Sequence, residues 1–195
     1  MKQILLSLAI LFAVGATAQT SIYDIQGQQS SSPFDQQIVT TSGVVTAKVR
    51  DYAYFLQDGN GAWNGILVYS GDSAFVSGLN RGDEIEVTGK VNEYYDNTEI
   101  EELVSESVVS TGNSIPGPMQ LTTGEVADEK YESVFISVSD AVVKDTTFDH
   151  GEFTANDGSG DCFVDDKIYS YWYDNNAPIP DTAYNITDPV NYSWN

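Results

Sequence analysis

Cysteine, histidine and basic side chains are the scarce commodities of this 195-residue chain: one Cys, one His and eight Lys plus Arg. A lone cysteine, Cys162, excludes an internal disulfide and any Cys-x-x-Cys motif. It follows a Gly-Ser-Gly-Asp turn inside an apolar Cys162-Phe163-Val164 run, so it reads as a small buried hydrophobe rather than a reactive thiol. The lone histidine, His150, falls in a loop between Thr146 and Gly151 and reads as a surface residue. No Ser-His-Asp, Cys-His or HExxH arrangement is assembled around it. The catalytic constellation of a hydrolase is therefore not expected in these residues.

The shortage of cations has its own consequence. Against 8 basic side chains stand 29 acidic ones, for a formal net charge of −21. Residues 19–113 carry 14 acids and 4 bases, and residues 114–195 carry 15 and 3. The charge thus belongs to folded surfaces rather than to a tail. It supports solubility. It opposes tight nonspecific binding to phosphate backbones, which depends on Lys and Arg displacing counterions.

Long apolar runs are also lacking, apart from the first residues. Lys2, an apolar stretch over 4–14 and Ala16-Thr17-Ala18 before Gln19 match a secretory signal peptide over residues 1–18. That run is too short to span a bilayer. The expectation is an exported chain with no membrane attachment after cleavage, extracellular or periplasmic.

What the chain does contain is a repeat. Asp58-Gly59-Asn60-Gly61 returns as Asp157-Gly158-Ser159-Gly160, and Val87-Thr88-Gly89-Lys90-Val91-Asn92 as Ile186-Thr187-Asp188-Pro189-Val190-Asn191. Both pairs keep one offset of 99 residues, a period that fits a duplicated small domain rather than a solenoid. Strand signals dominate each copy. Residues 39–49 are β-branched, 54–57 and 65–69 flank a Gly/Asn turn, 84–88 alternate polar and apolar, and 100–109 close the first copy. The second copy answers with 134–138, 141–143, 152–155, 163–164 and 184–192, with at most one short helix over 121–130. Five strands in about 90 residues predict an all-β fold of two tandem OB-fold-like five-stranded barrels. An immunoglobulin-like sandwich, with about seven strands, is the rival. The expected boundaries are 19–112 for the first module, 113–118 for a linker and 119–195 for the second. No counterpart of 100–109 follows in the second copy, so its last strand is expected to be missing or to come from elsewhere.

A family resemblance adds to this. Ile22-Tyr23-Asp24-Ile25-Gln26-Gly27, Ser32-Pro33-Phe34, Gly43-Val44-Val45-Thr46-Ala47 and Phe55-Leu56-Gln57-Asp58 occur in order. Gly65-Ile66-Leu67-Val68-Tyr69, Gly82-Asp83-Glu84-Ile85, Val87-Thr88-Gly89-Lys90-Val91 and Thr98-Glu99-Ile100 follow. The set resembles the OB-like module ahead of the catalytic domain in secreted bacterial nucleases of the endonuclease/exonuclease/phosphatase superfamily. Tyr131-Glu132-Ser133-Val134 and Gly151-Glu152-Phe153 are similar to the module that follows it. Related modules also occur in exported proteins with no nuclease domain. The resemblance implies a non-catalytic unit that binds single-stranded nucleic acid or docks a C-terminal catalytic domain of the same polypeptide. A further implication is the N-terminal part of a metal-dependent endonuclease whose metal site lies elsewhere.

Candidate site residues follow from the barrel reading. OB barrels bind polymers across strands two and three and the flanking loops, and aromatic rings there stack on bases or sugars. Tyr52, Tyr54, Trp63 and Tyr69 surround the central hairpin, Tyr94 and Tyr95 follow the fourth strand, and Lys48 and Arg50 approach the hairpin where a phosphate would lie. The alternative for Tyr54 and Leu56 is barrel filling. Tyr171-Trp172-Tyr173 is a comparable cluster in the second copy. The same aromatics would serve a polysaccharide- or protein-adhesion module, for which an acidic surface is no handicap.

No catalytic residue and no cofactor is expected. The acidic doublets Glu101-Glu102, Asp128-Glu129 and Asp165-Asp166 read as solvated, since adjacent strand residues face opposite ways. The two Asp-Gly turns fail the EF-hand template, because Tyr69 and Ile168 stand where its bidentate Glu would be. Their clustered oxygens leave weak calcium binding open.

Overall fold

The structure, a computed structural model, describes residues 18–146, 152–165, 168 and 178–190. The expected leader up to residue 17, His150, Asp166, Tyr171-Trp172-Tyr173 and residues 191–195 lie outside the described residues. The fold is all-β and consists of two five-stranded sheets. No helix among the described residues is long and apolar enough to cross a membrane.

The first sheet begins after α1 (Ile22–Gln26), which Ser21 caps by accepting the Asp24 N–H and Gly27 ends at φ 65°. β1 (Ile38–Val49), β2 (Ala53–Gln57), β3 (Gly65–Tyr69), β4 (Glu84–Tyr94) and β5 (Asn97–Ser110) close into a barrel of order β1-β2-β3-β5-β4. α2 (Ser73–Gly78) lies between β3 and β4. One long strand serves two neighbours. The first half of β1 pairs β4, its second half pairs β2, and an irregularity between Val45 and Ala47 bends it. Alternation sets the faces: Ile85 and Val87 point inward with Val45, Tyr54, Leu56 and Ile66. Ile22 and Ile25 of α1 and Val76 of α2 join the same core.

The second sheet comprises β6 (Met119–Leu121), β7 (Phe135–Asp145), β8 (Phe153–Asn156), β9 (Asp161–Val164) and β10 (Ala183–Pro189). Its order is β10-β7-β8-β9, with β6 alongside β7. This path repeats β4-β1-β2-β3, and no counterpart of β5 is present among the described residues. The expected strands 134–138 and 141–143 merge into the single strand β7, which begins at Phe135. The short helix expected over 121–130 reduces to turns and a 3-10 turn at Glu129–Tyr131. The repeat extends to side-chain bonds. Asp58 accepts the Ile22 N–H at 2.8 Å, and Asp157 accepts the Thr123 N–H and hydroxyl. Each turn aspartate therefore ties down a segment that precedes the long strand of its own module, β1 or β7.

The two sheets pack against each other at the β2–β3 end of the barrel. The Phe135 N–H donates to Gln57 Oε1 at 2.9 Å, the Trp63 N–H donates to the Lys130 carbonyl at 2.8 Å, and Arg81 lies 4.9 Å from the Phe135 ring centre. Gly65 is the contact point. A Cβ there would stand 2.1 Å from the Ser133 carbonyl oxygen and 2.3 Å from its carbon. Those are backbone atoms that cannot rotate away. Gly65→Ala is therefore expected to destabilise the chain by about 1–3 kcal/mol, measured as a lowered urea midpoint. An unchanged midpoint would mean that the modules do not touch at this residue.

Candidate functional site

The expected ligand face is the outside of β2 and β3, and the second module covers its Gly65 end while Tyr69 stays exposed. Along β2, Tyr54 and Leu56 turn into the barrel, while Ala53, Phe55 and Gln57 turn out. All five are buried. Phe55 packs with Ala47, Val49 and Ile168, and the side chain of Gln57 is engaged by Phe135. The part of this face around Phe55 and Gln57 is therefore occupied by protein.

The predicted site residues are accordingly dispersed. Tyr54 is a correction: its ring is wholly buried in the barrel core and its hydroxyl donates to Glu106 Oε2 at 2.9 Å. Burial, reinforced by Glu106, pushes its pKa far up. Lys48 is a second correction. Its ammonium donates to the carbonyls of Val76, Ser77 and Leu79. That is the role of a cation at a helix C-terminus, and it removes the residue from phosphate recognition.

The remaining residues fall into two groups. Tyr52 and Tyr69 sit with ring centres 5.8 Å apart beside exposed Arg50, at the start of β2 and the end of β3. Tyr94 and Tyr95 lie at the β4–β5 turn, edge to face at 4.6 Å, each 56% exposed. Because Leu67 pairs with Glu99 in parallel, this turn belongs to the Gly65 end of β3. Four residue steps of ~3.3 Å separate the groups, about 13 Å along the strand. Trp63 is half-buried in the loop between β2 and β3, at φ 67°, held by its N–H to Lys130.

Sequence reasoning missed a concavity between the modules. A cavity of about 330 Å³ lies between the outer wall of the barrel and the inner face of the second sheet, lined by Val49, Phe55, Ile136, Cys162, Ile186 and Asp188 among others. It arises only when the modules are brought together, so no run of residues announces it. The alternating apolar positions of β7 and β10 were the nearest signal. Cys162 is buried there, and burial raises its thiol to about 11, which keeps it un-ionised.

At the Asp-Gly turns both aspartates are engaged by groups of the protein. Asp157 is held well below the usual carboxylate range by hydrogen bonds from Ser159 and Thr123, and Asp58 is occupied by α1. Among the described residues no group of three or more His, Cys, Asp or Glu side chains is arranged to hold a metal ion.

No protein-family model and no curated protein matches the sequence. Among solved structures, the chain is similar to the hypothetical protein ygiW from E. coli over 48% of its own length and 92% of that chain. The identity is 20% and the TM-score 0.37. It is also similar to an aspartyl-tRNA synthetase-like chain from Leishmania major Friedlin over 57% of its own length and 24% of that chain, at 9% identity and TM-score 0.39. Likenesses at this level leave function to be argued from the residues.

One electrostatic feature of the cavity is testable. Burial raises the Asp188 carboxyl to about 7, with Arg81 pulling weakly the other way. An unfolded Asp titrates near ~3.9, so the folded chain holds an extra proton between about pH 4 and pH 7, and stability falls as pH rises through that window. Asp188→Asn removes the effect. Its stability advantage over the parent, from urea unfolding, is expected to be near zero at about pH 4, to grow until about pH 7 and to stay level above. An advantage independent of pH would show that Asp188 is not desolvated in the folded chain.

Proposed function

We propose that the chain is an exported, non-catalytic tandem of OB-fold-like modules, the second without a fifth-strand counterpart among the described residues, that serves as a docking platform for protein. A catalytic domain of an extracellular nuclease-type protein is the partner that the sequence resemblance suggests. Support for the OB assignment comes from the closed order β1-β2-β3-β5-β4 with a helix between β3 and β4. The repeated path in the second sheet extends it to that module.

The observation that carries the docking reading is the fate of the β2–β3 face. Part of the surface on which OB barrels commonly seat a polymer is here packed against protein, with Phe55 and Gln57 fully buried. The cations that nucleic acid would need are largely committed. Lys48 caps α2, Lys90 pairs with Glu101 and Glu102, Lys130 pairs with Asp128, and Arg81 stacks on Phe135. A net charge of −21 then repels a polyanion. A second reading, a polysaccharide site, rests on the paired and exposed Tyr94 and Tyr95.

A platform of this kind unfolds as one unit. Calorimetry is expected to give a single transition with matching calorimetric and van't Hoff enthalpies, and two separated transitions would contradict the docking reading. Anisotropy of a labelled single-stranded oligodeoxynucleotide is expected to stay flat from about 300 mM down to about 20 mM salt. Binding that tightens as salt falls would restore nucleic acid as the ligand. Retention on a glycan resin that disappears in Tyr94→Ala/Tyr95→Ala, with the melting temperature unchanged, would favour the second reading.

A further inference from the structure

Among the described residues, six buried side-chain oxygens have no hydrogen-bond donor, and five of them belong to residues at the junction between the modules: Gln26, Glu93, Asn97, Glu132 and Ser133. Shared bonds tie three of these side chains into one cluster. Glu132 Oε1 accepts from Gln26 Nε2 at 3.2 Å and from the Thr98 N–H at 2.9 Å. The Thr98 hydroxyl donates to Glu93 Oε1 at 2.8 Å, and the Ser32 N–H donates to the same oxygen at 2.7 Å. The Gln26 amide also donates to the Gly65 carbonyl at 2.8 Å. Each carboxylate thus has one oxygen fully engaged and a second, Oε2, buried without a donor. Gln26 turns its amide nitrogen to Glu132 and leaves Oε1 in the same condition. Asn97 and Ser133 are the chain neighbours of Thr98 and Glu132, and each adds one more such oxygen.

The burial is severe. Gln26 and Glu132 are each 1% exposed, Asn97 is 3% and Ser133 is fully enclosed. A carboxylate oxygen left without a donor in such surroundings is costly unless a proton, a water or a counter-charge meets it. The donors that reach Glu93 and Glu132 are a side-chain amide, two backbone N–H groups and a hydroxyl, all neutral. Glu129 and Asp96 add negative field, since Glu129 is raised by burial and then by Glu93 and Asp96.

We infer that this cluster is a binding site for a hard divalent cation of the calcium type, held by Glu132 Oε2, Glu93 Oε2 and Gln26 Oε1. The donor chemistry is specific. Only oxygens are present, and two carboxylates with a neutral amide oxygen suit calcium, which accepts mixed and irregular oxygen sets. Without nitrogen or sulfur the site offers nothing to select zinc or copper. The ion would join α1, β4 and β5 of the first module to the segment just before β7 of the second, and so brace the junction. This assignment is independent of what the exposed tyrosines bind.

The test is thermal melting of the full chain in EDTA and in about 10 mM calcium chloride. Modules of extracellular type bind calcium with dissociation constants of roughly 10⁻⁴ to 10⁻³ M. At about ten to a hundred times that constant, the melting temperature should rise by about 3–10 °C, and the rise should be lost in Glu132→Gln and in Glu93→Gln. Glu132→Gln keeps the side-chain shape and removes the charge, so in EDTA it should melt at or above the parent temperature. Should that variant fail to fold, Glu93→Gln, at a less buried side chain, carries the same comparison. No rise in the parent chain would mean that a proton or a buried water satisfies these oxygens, and would overturn the proposal. A rise of equal size in both variants would place the ion elsewhere, for example at the Asp58 or Asp157 turn, and would overturn it equally.

Discussion

The outer face of β2 and β3 around Phe55 and Gln57 cannot serve two partners, and its commitment to the second sheet decides most of what surrounds it. Gly65 allows the Ser133 backbone to approach, Phe55 fills the space between the sheets, and Gln57 supplies the acceptor for the Phe135 N–H. Three of these contacts need a particular residue: no side chain at 65, a large ring at 55 and an amide at 57. The cavity beside Phe55, the position of Trp63 and the enclosure of Glu132 follow from that one packing arrangement. Phe55 and its apolar neighbours supply the nondirectional part of the attraction. The hydrogen bonds fix the register, because an unmet buried N–H or carbonyl would oppose any sliding of the sheets.

The parts of this fold that were legible in the sequence are those set within a few residues of one another. The alternation of residues 84–88 places Ile85 and Val87 in the core. The offset repeat of the two Asp-Gly turns is mirrored in matching bonds from Asp58 and Asp157. Burial of Cys162 follows from its apolar run. The site was less legible, for a definite reason. Alternation along 53–57 says that Tyr54 and Phe55 face opposite ways, but not which face is inside the barrel or whether the outer one meets water. Both turned out buried, one by barrel closure and one by a module more than seventy residues away. Glu132 was hidden for the same reason. Between Tyr131 and Ser133 it has the composition of a solvated turn, and only the docked sheets enclose it.

Charge shows how local composition misleads. Lys48 and Arg50 are two residues apart at the approach to the hairpin and look equivalent as phosphate contacts. On a strand they belong to one face, yet Lys48 reaches three helix carbonyls while Arg50 occupies the following turn at φ 50°. The helix C-terminus competes for Lys48 because its last carbonyls have no intrahelical partner. With Lys90 and Lys130 also paired to carboxylates, the acidic surface keeps little positive potential to attract phosphate. A protein or sugar partner faces no such barrier.

The β4–β5 turn is where the local rules give way most clearly. Tyr95 and Asp96 take φ values of 52° and 60°, the pair of left-handed residues that a two-residue hairpin turn requires. Asn and Gly meet that requirement at low cost, whereas tyrosine does not. The turn geometry is imposed by the pairing of Tyr94 with Asn97, so the strain is tolerated rather than relieved. Tyr95 nevertheless projects into solvent against Tyr94 and gains little core burial in return. A residue that is poor for its turn and contributes little to the core is easier to explain by what its exposed ring touches than by the stability of the barrel. The turn lies at the Gly65 end of β3, close to the junction between the modules, and its two tyrosines are among the residues that the sequence alone had singled out.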